Sequence, residues 1–294
     1  MSELKLVPPE PRGGKPTGGT PYTANGHKFV GEHGDVSDLP ARSEPEPDIQ
    51  DGVDLSDRTK IIFAAGRGKT GKTTLLRWIT ETSLRNGGSP ILADVDPSNA
   101  AFSRYFANVA RPDTDTPAGV VTWLQELLEY CISAQQSAII DLGGGDTTLR
   151  TLAAEMPGLT EQIEAAGLSP IMFHLLGTQP EDLAPAVTLS ARGFTPKAQA
   201  LVFNEYAIEP GQTRERAFGR IIGSPSYTPL AKSSLLLWMP RLHAADAVEA
   251  RQCTFADARD GQAQPPLGLF EAARVRAWLN AMDRRFSGIE SWIP

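Results

Sequence analysis

Gly66-Arg67-Gly68-Lys69-Thr70-Gly71-Lys72-Thr73 is the stretch of this chain whose residue types and spacing most directly permit chemistry. A polyphosphate needs backbone N–H groups at van der Waals distance, which glycine backbone permits, and a helix N-terminus whose orphan donors and dipole favour anions. Gly66, Gly68 and Gly71 meet the first need. Thr73 and Thr74, opening the helical pattern Leu75-Leu76-Arg77-Trp78-Ile79, meet the second. Lys72 would reach the β- and γ-phosphates while the Thr73 hydroxyl takes a place on Mg²⁺. The apolar run 61–65 in front and the helix behind supply the strand, loop and helix that such a motif requires. Residues Gly66, Arg67, Gly68, Lys69, Thr70, Gly71, Lys72, Thr73 and Thr74 are therefore the candidate nucleotide cradle.

Carboxylates placed after apolar runs complete the candidate site. Asp141 ends the run Ala138-Ile139-Ile140, where a carboxylate holding Mg²⁺, directly or through water, belongs in a nucleotide hydrolase. Gly143, Gly144 and Gly145 then give a loop free to approach a γ-phosphate and to rearrange when it leaves. Asp146 or Thr147 suits the cap of the following helix. Asp94 and Asp96 stand at the end of the run at 91–95, with Asp96 lying 24 residues after Lys72. One of the two is expected to face the nucleotide while the other turns toward the sheet or loop. A carboxylate near the γ-phosphate can orient the attacking water, because phosphoryl transfer demands mostly positioning and charge stabilisation. Asp-Pro with Ser98 and Asn99 also reads as an ordinary strand-to-helix corner.

The elements that must position these groups alternate along the chain. Strand-length apolar runs at 61–65, 91–95, 138–140, 170–176, 200–203 and 235–239 are separated mostly by helix-like segments. This pattern predicts an α/β fold of repeated βα units around a mostly parallel sheet. Apolar runs without alternation imply helices on both faces. Ligands of such sheets bind beyond the carboxyl ends of the strands, so Gly177-Thr178-Gln179 and Asn204 join the residues to watch. There is no internal repeat.

Composition bounds the rest. Residues 1–58 hold 8 of the 24 prolines and 8 of the 27 glycines, and carry 6 basic against 11 acidic side chains. That segment is expected to be a disordered acidic tail, with 59–294 forming the nucleotide-binding domain. The remainder has a net charge of only −2, so any nucleic-acid contact must come from a local patch. Two distant cysteines argue for a reducing compartment, and no apolar run approaches the ~20 residues of a membrane span. A cytoplasmic location is expected.

A loop of this form, an apolar strand ending Asp94-Val95-Asp96-Pro97 and a later Asp141-to-Gly145 loop resemble the ParA/MinD family of deviant Walker-A ATPases. The resemblance covers roughly residues 60–250. It implies an ATP-dependent homodimer sandwiching two nucleotides, a protein partner that stimulates hydrolysis, and the positioning of DNA or protein cargo, as in plasmid partition, conjugation or cell division. Carried over, Lys72 and Thr73 bind phosphate and Mg²⁺, Asp96 positions water, Asp141 supports the metal and Asn204 contacts adenine. Lys72, Arg67 and Asp96 are then the catalytic set, and Thr73, Asp96 and Asp141 the magnesium set. The sequence departs from the family where Arg67 stands in place of the signature lysine that reaches across the dimer, and where Lys69 replaces a glycine. Arginine is permanently charged and grips phosphate bidentately, so it can take over that contact.

Two surfaces suggest partners. Arg214, Arg216 and Arg220, with Lys232 and Arg241, form a modest basic cluster fit for sequence-independent DNA contacts, diluted by Glu205, Glu209 and Glu215. Val275, Leu279, Met282 and Phe286 recur at helical spacing with Trp278 and flanking arginines. That helix either docks on the domain or lies on a membrane. Alternative functions are a kinase or ligase acting on a small substrate, which would need an acceptor site, and a catalytically weak nucleotide-dependent scaffold.

Overall fold

A computed structural model of the chain describes residues 44–96, 101–143 and 147–294, together with the strand pair β1 (Thr23–Ala24) and β2 (His27–Lys28). The chain divides into two compact units, 1–45 and 46–294. In the first, β1 and β2 pair antiparallel. The expectation of disorder over residues 1–43 lies otherwise outside the described residues, as do Pro97, Ser98, Asn99, Gly144, Gly145 and Asp146.

The second unit is built on a parallel sheet of six strands: β3 (Thr59–Ala65), β4 (Ile91–Asp94), β5 (Ala138–Asp141), β6 (Leu168–Leu176), β7 (Ala198–Asn204) and β8 (Leu235–Met239), in the order β4-β5-β3-β6-β7-β8. All five pairings are parallel. Successive side chains of β3 point to opposite faces: Ile61, Phe63 and Ala65 enter one core while Ile62 and Ala64 enter the other. Both faces are therefore dry, which is why the strand reads as a continuous apolar run. Each fully buried Ile or Phe here is worth about 1.5–3 kcal/mol of apolar burial.

Helix α1 (Lys72–Arg85) packs on the Ile62 face with α8 (Ala245–Arg251), α9 (Phe255–Asp260) and α10 (Leu269–Arg285). On the Phe63 face lie α2 (Pro117–Ala134), α3 (Thr148–Glu155) and α4 (Leu159–Ala165). Beside them α5 (Ala184–Ala191) and α6 (Arg214–Ile222) contribute to a smaller cluster around Phe203 and Phe218, which α7 (Tyr227–Lys232) completes. α2 begins as its sequence dictates: the Thr116 hydroxyl accepts from Gly119 N at 3.3 Å, and Pro117 occupies the first turn, where its missing N–H costs nothing.

One expectation is corrected and one alternative is decided. The segment 46–58, assigned by composition to the tail, belongs to the compact unit. The Gln50 side chain accepts from Leu236 N on edge strand β8 at 2.8 Å, and Gly52 N donates to Gly288 O at 2.8 Å. The Trp292 indole donates to Val53 O at 2.8 Å, and Leu55 is buried. The acidic run is thus a strap rather than part of a disordered tail: Glu46 pairs with Arg284 and Arg285, both at 2.9 Å. The C-terminal helix, for its part, docks. Val275, Trp278, Leu279 and Met282 enter the Ile62-face core, and the Trp278 indole donates to Pro240 O at 2.9 Å. The apolar face that a membrane-lying helix would need is already covered. Among the described residues no helix is long and apolar enough to cross a membrane.

Candidate functional site

The carboxyl end of β3 runs into the phosphate loop, and α1 leaves it. Gly71, the residue before α1, has φ +98°, and a Cβ there would meet Asn204 Nδ2 at 2.5 Å and Met239 Cε at 2.7 Å. Only glycine combines that backbone with that contact. The loop is braced from within, since Thr70 Oγ1 donates to Arg67 O at 2.8 Å. Lys69 takes the left-handed conformation, φ +66°, at an exposed position, so its backbone does what a glycine would do and its side chain points away from dense packing. No side chain caps the start of α1 and its first turn carries no acidic residue. Its first N–H groups and the positive end of its dipole are therefore available to an anion.

Lys72 is buried, and its ammonium donates to Gly66 O at 3.1 Å and Arg67 O at 3.3 Å. The lysine thus curls over the loop it would serve, with its charge held where phosphate oxygens belong. One residue on, Thr73 donates its hydroxyl to Asp141 Oδ2 at 2.8 Å. Asp141 is buried, and its other oxygen, Oδ1, has no hydrogen-bond partner among the described residues. Burial is the first cause that pushes its carboxyl up to about 7, with the charges of Asp94 and Asp96 adding and the Thr73 hydroxyl and Lys72 opposing. A buried, half-satisfied carboxylate beside a threonine hydroxyl is costly alone and suits a hard cation. Among the described residues no three acidic, histidine or cysteine side chains converge to chelate a metal by themselves. A single carboxylate and a hydroxyl fit Mg²⁺, which keeps waters and takes its remaining oxygens from phosphates.

The two carboxylates at the end of β4 take different partners: Asp94 closes the strand and Asp96 lies two residues on, beyond it. Asp94 is buried and turns to its own loop, its Oδ2 accepting from Phe102 N at 3.0 Å and Ser103 N at 3.3 Å. Burial raises its pKa despite these donors. Asp96 lies against the β5 loop, where a Cβ on Gly143 would sit 2.9 Å from Asp96 Oδ2. The structure therefore brings Asp96 beside Gly143, next to Asp141, and leaves Asp94 to shape the loop.

Asn204 does not present its amide to a base. Its Nδ2 donates to Thr70 O at 2.9 Å and its Oδ1 accepts from Tyr206 N at 3.0 Å, so both ends of this buried amide are used inside the protein. In this structure Asn204 is a brace under the phosphate loop, with one N–H and one lone pair of its amide engaged. The next residue, Glu205, pairs with Arg214 and, at 2.8 Å, with Arg285.

Asp182 was not singled out in the sequence and belongs here. It is buried in the turn 180–183, accepts from Gln179 N at 3.1 Å and meets Arg67 at 3.4 Å. Its signal was the Gln179-Pro180-Glu181-Asp182 pattern of a capped turn, which says nothing of a partner 115 residues away. Arg67 itself stays half exposed at 52%. The basic cluster, by contrast, is partly spent. Arg214 pairs with Glu205 and lies over Trp238, and Arg241 donates to Tyr206 O and Ile208 O, which leaves Arg216, Arg220 and Lys232 exposed.

The chain has a parallel α/β fold, with the glycine-rich loop following the inner strand β3 and the candidate metal carboxylate at the end of its neighbour β5. No family model and no curated protein matches it. Among solved structures, the MinC:MinD cell division protein complex of Aquifex aeolicus is 11% identical over 78% of this chain and 96% of that chain, with a TM-score of 0.45. The signal recognition particle receptor FtsY of Elizabethkingia anophelis is 13% identical over 62% of this chain, TM-score 0.41, and the chain spans 59% of that receptor. Chloroplast FtsY of Physcomitrella patens is 14% identical over 80% of this chain and 67% of that one, TM-score 0.39. These likenesses are distant, and the site stands on its own geometry.

Proposed function

We propose that this chain is an ATP-hydrolysing switch that dimerises on ATP and positions or partitions a DNA or protein cargo. The observation that carries the reading is the Thr73–Asp141 pair: a hydroxyl and a buried carboxylate with one unmatched oxygen, set under an uncapped helix start. Mg²⁺, when bound, neutralises phosphate charge. Thr73 and Asp141 would hold it, Lys72 would leave its two loop carbonyls for the phosphates, and Asp96 would orient the attacking water from beside Gly143.

Arg67 supports the switch. It stands at the mouth of the loop, half exposed, held by one long contact to Asp182. From there it can reach the nucleotide of a second copy, where a charge-stabilising arginine is worth about 10³–10⁵ in turnover. Sedimentation velocity with ATP, ADP and no nucleotide, alongside steady-state phosphate release, tests this reading. ATP alone is expected to produce the dimer, and Arg67→Ala to lose both dimer and turnover. A variant that keeps both would remove the role in trans.

A further inference from the structure

The Asp94 carboxylate is spent on the backbone around it. Its Oδ1 accepts from Asp96 N at 3.4 Å, while its Oδ2 accepts from Phe102 N at 3.0 Å and Ser103 N at 3.3 Å. One buried side chain thus ties the backbone of Asp96 to the short turn 102–104, and whatever fixes that turn also fixes Asp96. Phe102 anchors its start by complete burial. Past its end stands Tyr105, half-buried, with the Arg77 guanidinium 3.5 Å from its ring centroid.

Arg77 belongs to α1, one turn beyond Thr73, and is held from a second direction. It is buried, its guanidinium donates to Cys253 O at 2.8 Å and lies over the Phe255 ring at 4.1 Å. Phe255 is itself pinned to α1: its N–H donates to Glu81 Oε1 at 2.9 Å, and Ala256 N donates to the other oxygen at 3.0 Å. The helix that begins at the phosphate loop therefore carries a fixed cationic plate, and Tyr105 rests on it. An apolar side chain would fill this space without desolvating a charge, whereas arginine leaves its buried Nε with no hydrogen-bond partner among the described residues. What the guanidinium adds is a flat face in one orientation, which attracts an aromatic ring to one position as a flexible aliphatic chain does not.

We propose that Arg77 is a positioning residue for hydrolysis: stacked on Tyr105, it holds the turn 102–104, and through the Asp94 carboxylate it holds Asp96 beside Gly143. The role rests on the reading of Asp96 as the group that orients the attacking water. It joins the water-orienting carboxylate to the same helix that presents Lys72 and Thr73, so that the two sides of the site keep one geometry.

The test measures phosphate release at saturating ATP and, separately, equilibrium binding of a non-hydrolysable ATP analogue with Mg²⁺, both on the full chain. Tyr105→Leu keeps apolar bulk at a half-buried position and removes the flat face. It should slow turnover at least about tenfold, within the roughly hundredfold that a misplacement of about 1 Å can cost, while analogue affinity stays within about twofold of the wild type. Arg77→Met, which keeps the stem and removes the plane, should match it, and Tyr105→Phe, which restores the ring, should restore turnover. Added to Asp96→Asn, Tyr105→Leu should bring no further loss, because a displaced Asp96 and a disabled one are the same defect. Wild-type turnover in Tyr105→Leu, turnover and analogue binding falling together, no rescue by Tyr105→Phe, or an additive loss in the double variant would each overturn the role of Arg77 and leave that of Asp96 standing. Full turnover in Asp96→Asn would instead remove the water-orienting role, and the positioning role with it.

Discussion

Replacing Asp141 by Asn probes the strain on which the metal assignment rests. Burial raises the carboxyl from 3.8 to about 7, so the folded state holds that proton more tightly than the unfolded chain does. Stability from this group is fully present below pH 3.8, falls as pH rises, and is lost by about pH 7. At 1.36 kcal/mol per pH unit the cost relative to a neutral side chain is about 2 kcal/mol at pH 5.5 and about 4 kcal/mol at pH 8. Asparagine keeps an oxygen for the Thr73 hydroxyl and removes the charge. In thermal unfolding without metal or nucleotide, Asp141→Asn should therefore be more stable than the wild type, and increasingly so toward pH 8. At about 2–4 °C per kcal/mol for a unit of this size, the gain at pH 8 is roughly 8–16 °C. With Mg²⁺ and ATP the order should reverse, since the wild type gains a cation partner that the variant cannot offer. A variant less stable than the wild type in the absence of ligands, or a gain independent of pH, would refute the reasoning that the carboxylate is strained until a cation arrives.

Gly71→Ala should cost at least about 1–3 kcal/mol in thermal unfolding and weaken nucleotide binding, because a Cβ at φ +98° strikes the Asn204 amide. Arg285→Met should lower stability by about 3–5 kcal/mol in urea titration, since Arg285 is 7% exposed and its loss strands part of Glu205. Glu46→Gln should cost far less, because Glu46 is 54% exposed and solvent screens its pairs. The side-chain hydrogen bond from Arg285 is the first cause that lowers the Glu46 carboxyl to about 2. Its contribution is present above pH 4.5 and lost as pH falls toward 2, so acid titration of wild type and Glu46→Gln should converge over that window.

Much of this architecture was legible in the residue order. β3 was expected at 61–65 and spans Thr59–Ala65, because a strand buried on both faces cannot hide its apolar run. Asp94 and Asp96 have different partners although positions two apart on a strand share a face, because the strand ends at Asp94. What escaped was decided by long-range pairing. The acidic stretch around Glu46 has the composition of a spacer, yet Arg285, 239 residues away, gives it a seat. Asn204 stood at the right strand end, but whether its amide meets a base or the loop depends on the approach of Thr70 O, 134 residues earlier. The period of α10 showed an amphipathic helix, and which surface it covers is a property of the sheet it lands on.

Equilibrium binding of ATP with and without Mg²⁺, in the wild type and in Lys72→Ala, tests the central claim most directly. The charged contacts of one lysine are worth about 1.5–3 kcal/mol, so affinity should fall by roughly 10- to 100-fold in the variant. Wild-type binding should also depend on Mg²⁺. Binding that is unchanged in Lys72→Ala and indifferent to the metal would contradict the account.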